Sequence, residues 1–126
     1  MARLAIQGHL MRGSEVIALL EMLGGKNNNS VGGAICTYIY FINDDNNIEL
    51  LKLSKVDETF VIFTLEEFEE KFPYKVRDEV LYKTYGIYLK IKSMRWNKEK
   101  NRVFYRLDSN KLFVATVDEL KPCKQQ

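Results

Sequence analysis

The alternation of apolar and polar positions divides the chain into short strands and two helices. Residues 4–7 form a brief apolar run of strand type. Val16, Leu19, Leu20 and Leu23 then recur at i, i+3, i+4 and i+7, the buried stripe of a helix. Ser14 is placed to cap that helix, and Gly24-Gly25 to stop it. A polar, Asn-rich loop follows over 26–33. Residues 34–42 are rich in β-branched and aromatic side chains and predict a strand, with Tyr38 and Tyr40 on one face and Phe41 on the other. The turn Asn43-Asp-Asp-Asn-Asn47 and the apolar run 48–53 complete a hairpin, and 60–63 predicts a further short strand. Thr64-Leu-Glu-Glu67 is a capping box. Leu65, Phe68 and Phe72 share one face of the helix it opens, and Pro73 ends it. The glutamates at 66, 67, 69 and 70 read as its solvated side.

Beyond Pro73 the pattern changes to short alternating strands over 74–82, 86–94, 103–107 and 111–114, with a charged turn over 97–101. Thr116-Val-Asp-Glu119 repeats the capping-box pattern as a single turn before Leu120 and Pro122. Short strands with a late single turn resemble a small SH3-like barrel. Lys75-Val-Arg-Asp-Glu-Val80 is similar to the lysine-valine-glycine-aspartate entry of such barrels, with Arg77 in place of the usual Gly. The expected fold class is therefore α+β: an N-terminal β-α-β-hairpin-α unit over 1–73, followed by an SH3-like small β-barrel over 74–126.

The composition is that of a globular chain. Of 126 residues, 46% are hydrophobic and 29% charged. Seven Tyr and seven Phe favour a β-rich core. No apolar run approaches the roughly 18 residues that cross a bilayer, and no apolar segment follows a basic start, so neither a membrane partner nor a secretory leader is expected. Cys36 and Cys123 have no metal spacing and read as reduced thiols.

Charge adds an asymmetry. Residues 1–73 hold 6 Lys/Arg and 11 Asp/Glu, a net −5, and residues 74–126 hold 13 and 6, a net +7. The basic half suits either a polyanion or the acidic half of the same chain.

Three groups of residues carry candidate chemistry. Gly8, His9, Arg12, Gly13 and Ser14 lie where a strand turns into a helix N-terminus, whose free N–H groups and positive dipole end favour an anion. Arg12 can fork onto a phosphate. The alternative is a tight turn in which Gly8 and Gly13 supply special backbone angles. The glycine spacing is neither a Walker loop nor a dinucleotide fingerprint. One His, with no Cys or carboxylate at ligand spacing, argues against a metal, and no cofactor or catalytic group is assigned. The second group, Lys92, Arg95, Trp96, Lys98, Lys100 and Arg102, combines cations with the single Trp. Stacking plus phosphate contacts is the chemistry of single-strand nucleic-acid binding, and a charged hairpin tip with the Trp closing the barrel end is the alternative. Third, Tyr38 and Tyr40 could stack on a base or serve as cross-strand core partners.

Gln7-Gly-His-Leu-Met-Arg-Gly13, Leu23-Gly-Gly-Lys-Asn27, Tyr40-Phe-Ile-Asn43, Thr64-Leu-Glu-Glu-Phe68, Lys71-Phe-Pro-Tyr-Lys-Val76 and the final Asp118-Glu-Leu-Lys-Pro122 resemble small accessory proteins of tailed bacteriophages from intestinal bacterial communities. The departures are Leu10-Met11 and Ser14, where such proteins carry Pro-Thr and Lys, and Arg77. The resemblance implies expression in the host bacterial cytoplasm and an anti-defence role. The expected function is a sponge: non-catalytic binding of a small phosphorylated, nucleotide-derived ligand by Gly8, His9, Arg12, Gly13 and Ser14, with Tyr38 and Tyr40 stacking on its base. The alternatives are a module that inhibits a host defence protein or binds nucleic acid through the basic half, and a nucleotide-cleaving enzyme using His9. A homo-oligomer is compatible with all three.

Overall fold

The computed structural model describes residues 2–123, and the fold is mixed α+β with two open sheets. The chain runs β1 (Arg3–Gln7), α1 (Gly13–Met22), β2 (Tyr38–Ile42), β3 (Ile48–Lys52), a 3₁₀ turn (Leu53–Lys55), β4 (Phe60–Phe63) and α2 (Leu65–Lys71). It continues through β5 (Glu79–Tyr82), β6 (Ile87–Asn97), β7 (Arg102–Leu107), β8 (Phe113–Ala115), a second 3₁₀ turn (Val117–Glu119) and β9 (Leu120–Pro122). The first sheet has the order β3-β2-β1-β4, in which β1 and β4 are parallel and the other pairs antiparallel. The second is antiparallel throughout, in the order β8-β7-β6-β5-β9. No helix among the described residues is long and apolar enough to cross a membrane.

Helix α1 buries Val16, Leu19 and Leu20, the stripe its spacing predicts. It ends in a Schellman turn: Gly25 N–H donates to Leu20 O at 2.9 Å, Gly24 N–H donates to Glu21 O at 3.0 Å, and Gly24 takes φ +104°. The start differs from expectation. Ser14 is not the cap; it lies in the first turn, and Arg12 is the flanking residue, with no side-chain cap of its own. The ring of His9 does the capping work instead, because its Nδ1 accepts from the backbone N–H groups of Met11 (3.2 Å) and Arg12 (3.1 Å).

Nor do Gly8 and Gly13 supply special angles; the positive-φ glycines are Gly24, Gly33 and Gly86. Their lack of a side chain matters for another reason. The segment 34–37 crosses directly over both, so a Cβ on Gly13 would lie 2.8 Å from the Ala34 nitrogen, and one on Gly8 would strike the Ile35 carbonyl. The segment crosses there because β1 pairs with β2 only as far as Gln7↔Ile39. The expected strand 34–42 is therefore limited to Tyr38–Ile42. The last strands are also shifted: β6 runs on to Asn97, and β8 is Phe113–Ala115 rather than 111–114.

Helix α2 has its capping box, with Glu67 N–H donating to Thr64 Oγ1 at 3.1 Å and Thr64 N–H donating to Glu67 Oε1 at 2.8 Å. Reciprocal capping matters for a helix of only 7 residues, which is too short to be stable by propagation alone. Its Phe68 and Phe72 meet Phe63 and Trp96 edge to face, at centroid separations of 5.7–6.2 Å. Such pairs add to the area they bury. One hydrophobic cluster runs from Leu4, Ile6 and α1 through this aromatic group to Val80, Ile91, Met94 and Tyr105, so the core is continuous across the boundary at residue 73. A smaller cluster of Ala5, Ile39 and Phe41 lies on the other face of the first sheet.

Candidate functional site

The turn between β1 and α1 is a network of ion pairs. Arg12 donates through Nε and Nη2 to Glu15, at 2.8 Å each, and through Nη2 to Glu69 at 2.8 Å; its Nη1 lies 3.6 Å from Glu66. Lys75 Nζ stands 3.7 Å from the same Glu69 oxygen. The hydrogen bond with Glu15, and then that with Glu69, hold the Arg12 guanidinium above its ordinary pKa; Arg12 in turn holds Glu15 below the usual carboxylate value. Glu66 is also lowered, first by its own backbone N–H and then by His9. His9 Nε2 lies 2.7 Å from Glu66 Oε2. Since Nδ1 accepts from two backbone groups, Nε2 carries the proton and donates it to Glu66. Both ring nitrogens are thus engaged.

Two of the four glutamates expected on the solvated side of α2 therefore belong to this network. Glu66 and Glu69 turn back to His9 and Arg12, Glu67 forms the capping box, and Glu70 is exposed. Glu15 of α1 occupies the fork that a phosphate would need, and the carboxylates of α2 crowd the remaining guanidinium edge. An open depression of about 270 Å³ beside the turn is lined by His9, Cys36 and Glu66 among others, with no Arg or Lys in its wall.

The tyrosines are core residues to differing degrees. Tyr40 is 1% exposed, and its hydroxyl accepts from Ile35 N–H at 3.3 Å, so its ring has no open face for a base. Tyr38 is half-buried against the main core.

A better-formed cleft lies where the two sheets meet near the end of α1. It encloses about 260 Å³ over a floor of Leu4, Leu20, Leu23, Ile42 and Trp96. Its polar wall is Arg3, Arg95 and Lys98 with Asn43, Asn46 and Asp44, the Arg3 guanidinium itself being turned to Phe41 and Phe60 on the other face of the first sheet. They come from three parts of the fold. Arg3 starts β1, the two Asn residues belong to the β2–β3 hairpin, and Arg95 and Lys98 flank the end of β6. Arg3 donates to Thr59 Oγ1 at 3.0 Å and stacks on Phe60, its guanidinium carbon 4.0 Å from the ring centre. Among the described residues, no hydrogen bond or ion pair engages the side chain of Arg95 or Lys98. The Arg95 guanidinium approaches Gly24, just past the C-terminus of α1, a helix with no basic residue in its own last turn.

The basic run predicted from sequence is thus divided. Arg95, Trp96 and Lys98 line the cleft. Trp96 is half-buried and donates from Nε1 to Ala2 O at 2.9 Å. Arg102 pairs with Asp118 at 3.4 Å. Lys92 and Lys100 are exposed. Sequence reasoning missed Arg3, Asn43 and Asn46 as partners of this group, because only the pairing of β1 with β2 and the hydrogen bond from Trp96 to Ala2 bring them together. Among the described residues, no cluster of His, Cys, Asp and Glu is arranged to hold a metal ion. No protein-family model, curated protein or solved structure matches this chain.

Proposed function

We propose that the protein binds a small phosphorylated ligand of nucleotide type and holds it without chemical change, and that the site is the cleft lined by Arg95 and Lys98. One observation carries this reading: two cationic side chains without partners among the described residues, Arg95 and Lys98, line a concave surface that has an apolar floor. Cations of this kind stabilise phosphate oxygens through charge-assisted hydrogen bonds. The floor, with Trp96 at one side, offers apolar contact to a base or ribose. The Asn43 and Asn46 side chains add amide donors at the rim. The lining contains one carboxylate, Asp44, and no His, so it lacks the acid–base pair that phosphoester cleavage requires.

The phage resemblance of the sequence supports a biological setting for such a binder. In that setting the protein sequesters a nucleotide-derived defence signal in an infected cell. We also read the second sheet as an opened SH3-like barrel. The strand order β8-β7-β6-β5-β9 and the single 3₁₀ turn before β9 support this.

Calorimetric titration with cyclic nucleotides and ADP-ribose tests the proposal. We expect saturable binding by the wild type, weakened about 10-fold or more by Arg95→Ala and by Lys98→Ala, because each removes a charged donor. Arg12→Ala should leave the affinity unchanged. Chromatography of the released ligand should return it intact. An absence of binding would overturn the reading, and loss of binding in Arg12→Ala would return the site to the turn.

A further inference from the structure

The outer face of β6 and β7 has a character the cleft does not explain. These two strands carry Lys90, Lys92, Arg95, Arg102 and Arg106, and neither contains an Asp or a Glu. Burial alternates along β7, where Val103, Tyr105 and Leu107 point into the core; along β6, Ile91 and Met94 do so on either side of a β-bulge at Lys92–Ser93, and the residues between point away from the core. The register sets Ser93 opposite Arg106 and Arg95 opposite Phe104 on the outward side. Phe104 is half-buried yet joins neither hydrophobic cluster. It stands two residues from Arg102 and two from Arg106 on the same face of β7, so cations flank an outward aromatic ring on both sides. Further along β6, Tyr88 is 58% exposed beside Lys90. The neighbouring carboxylates are few. Glu79 of β5 lies opposite Lys90, Asp108 follows β7 with its N–H donating to Lys90 O at 2.8 Å, and Asp118 pairs with Arg102.

We infer that this face binds single-stranded nucleic acid, its phosphates tracked by Lys90, Lys92, Arg102 and Arg106 and a base stacked on Phe104. The argument is charge complementarity joined to an aromatic platform. A row of cations that outnumbers the carboxylates beside it attracts a polyanion, and every base has a face that can stack on an outward ring. Duplex has its bases paired and stacked internally, so it can use the cations but not the ring. The inference is separate from the cleft, since none of Lys90, Lys92, Arg102, Phe104 and Arg106 lines it.

The test is fluorescence anisotropy with labelled, mixed-sequence single strands of about 12 nucleotides, DNA and RNA, and the matching duplex. We expect the single strands to bind more tightly than the duplex, and affinity to fall steeply with salt. Phe104→Ala should weaken binding about 5- to 150-fold, the range set by one base stack, while Phe104→Trp retains it. Lys90→Ala/Arg106→Ala should lower the salt slope by about 1.4, as expected for two lost phosphate contacts. A saturating excess of ADP-ribose should leave the oligonucleotide bound, which separates this face from the cleft. No single-strand binding at low salt, equal or tighter binding of duplex, or affinity indifferent to Phe104→Ala would overturn the inference. So would displacement of the strand by ADP-ribose. Circular dichroism establishes that each variant is folded; were Phe104→Ala unfolded, the ring's role would rest on Phe104→Trp, and loss of binding in that folded variant would also overturn the inference.

Discussion

At the residue scale, Arg77 is the sharpest departure from local backbone preference. It takes φ +80° in the turn that enters β5, a left-handed conformation that costs an L-residue roughly 1–2 kcal/mol. The turn imposes it: Arg77 N–H donates to Ile91 O at 2.8 Å, Asp78 N–H donates to Lys75 O at 3.0 Å, and Lys75 N–H donates to Asp78 Oδ2 at 2.9 Å. Glycine is the residue such turns usually hold, and its absence was legible from sequence; that the position has a positive φ was not, because φ follows from the bond to Ile91. Arg77→Gly should stabilise the protein by about 0.5–1 kcal/mol, the relieved strain being partly offset by the greater freedom of Gly in the unfolded chain. Thermal unfolding should show a midpoint raised by about 2–5 °C. An unchanged or lowered midpoint would mean that the Arg77 side chain makes a compensating contribution.

At the scale of elements, both helices are where hydrophobic periodicity sets them, since the stripes of α1 and α2 are the buried ones. The start of α1 was misjudged for a physical reason. A cap is usually a short polar side chain one residue before the helix, but here the capping acceptor is a ring three residues before Arg12 in the chain. The same limitation hid the fate of the glutamates on α2. Helical spacing puts Glu66 and Glu69 on a polar face, and only the parallel pairing of β1 with β4 brings that face to Arg12.

The network between the turn and α2 implies a pH dependence. Glu15 and Glu66 have lowered pKa values in the folded chain, so their contribution is present at neutral pH and is lost as pH falls below the ordinary value of 4.5 and through the depressed values. The thermal midpoint should therefore drop more steeply below about pH 4.5 in the wild type than in Arg12→Ala, and the difference should shrink in high salt because these side chains are exposed. Parallel pH profiles would contradict a stabilising role for the network.

At the scale of the whole molecule, the mixed fold class and the change of character near Pro73 were legible in the sequence, but the way the halves close on each other was not. The sequence left Trp96 either a stacking platform or a ring closing the end of the barrel. It packs against Phe63 and Phe72 and is tied to Ala2, and in doing so brings the basic end of β6 over the β2–β3 hairpin. The cleft exists only because of that long-range contact, so no local motif could announce it. It also explains why the charge asymmetry of the sequence is only partly neutralised within the chain. The acidic residues of α2 meet Arg12 and Lys75, while Arg95 and Lys98 face the concave surface.

That geometry makes the single Trp a reporter for the central claim. Trp96 lies in the wall of the cleft, and the sequence has no other Trp, so the emission of the protein reads that one site. Titrating cyclic nucleotides or ADP-ribose while following Trp96 emission should give a saturable change whose midpoint matches the calorimetric affinity, with the midpoint moved to higher concentration in Lys98→Ala. Calorimetric binding with no change in Trp96 emission, and no response to Lys98→Ala, would place the ligand elsewhere and contradict the account.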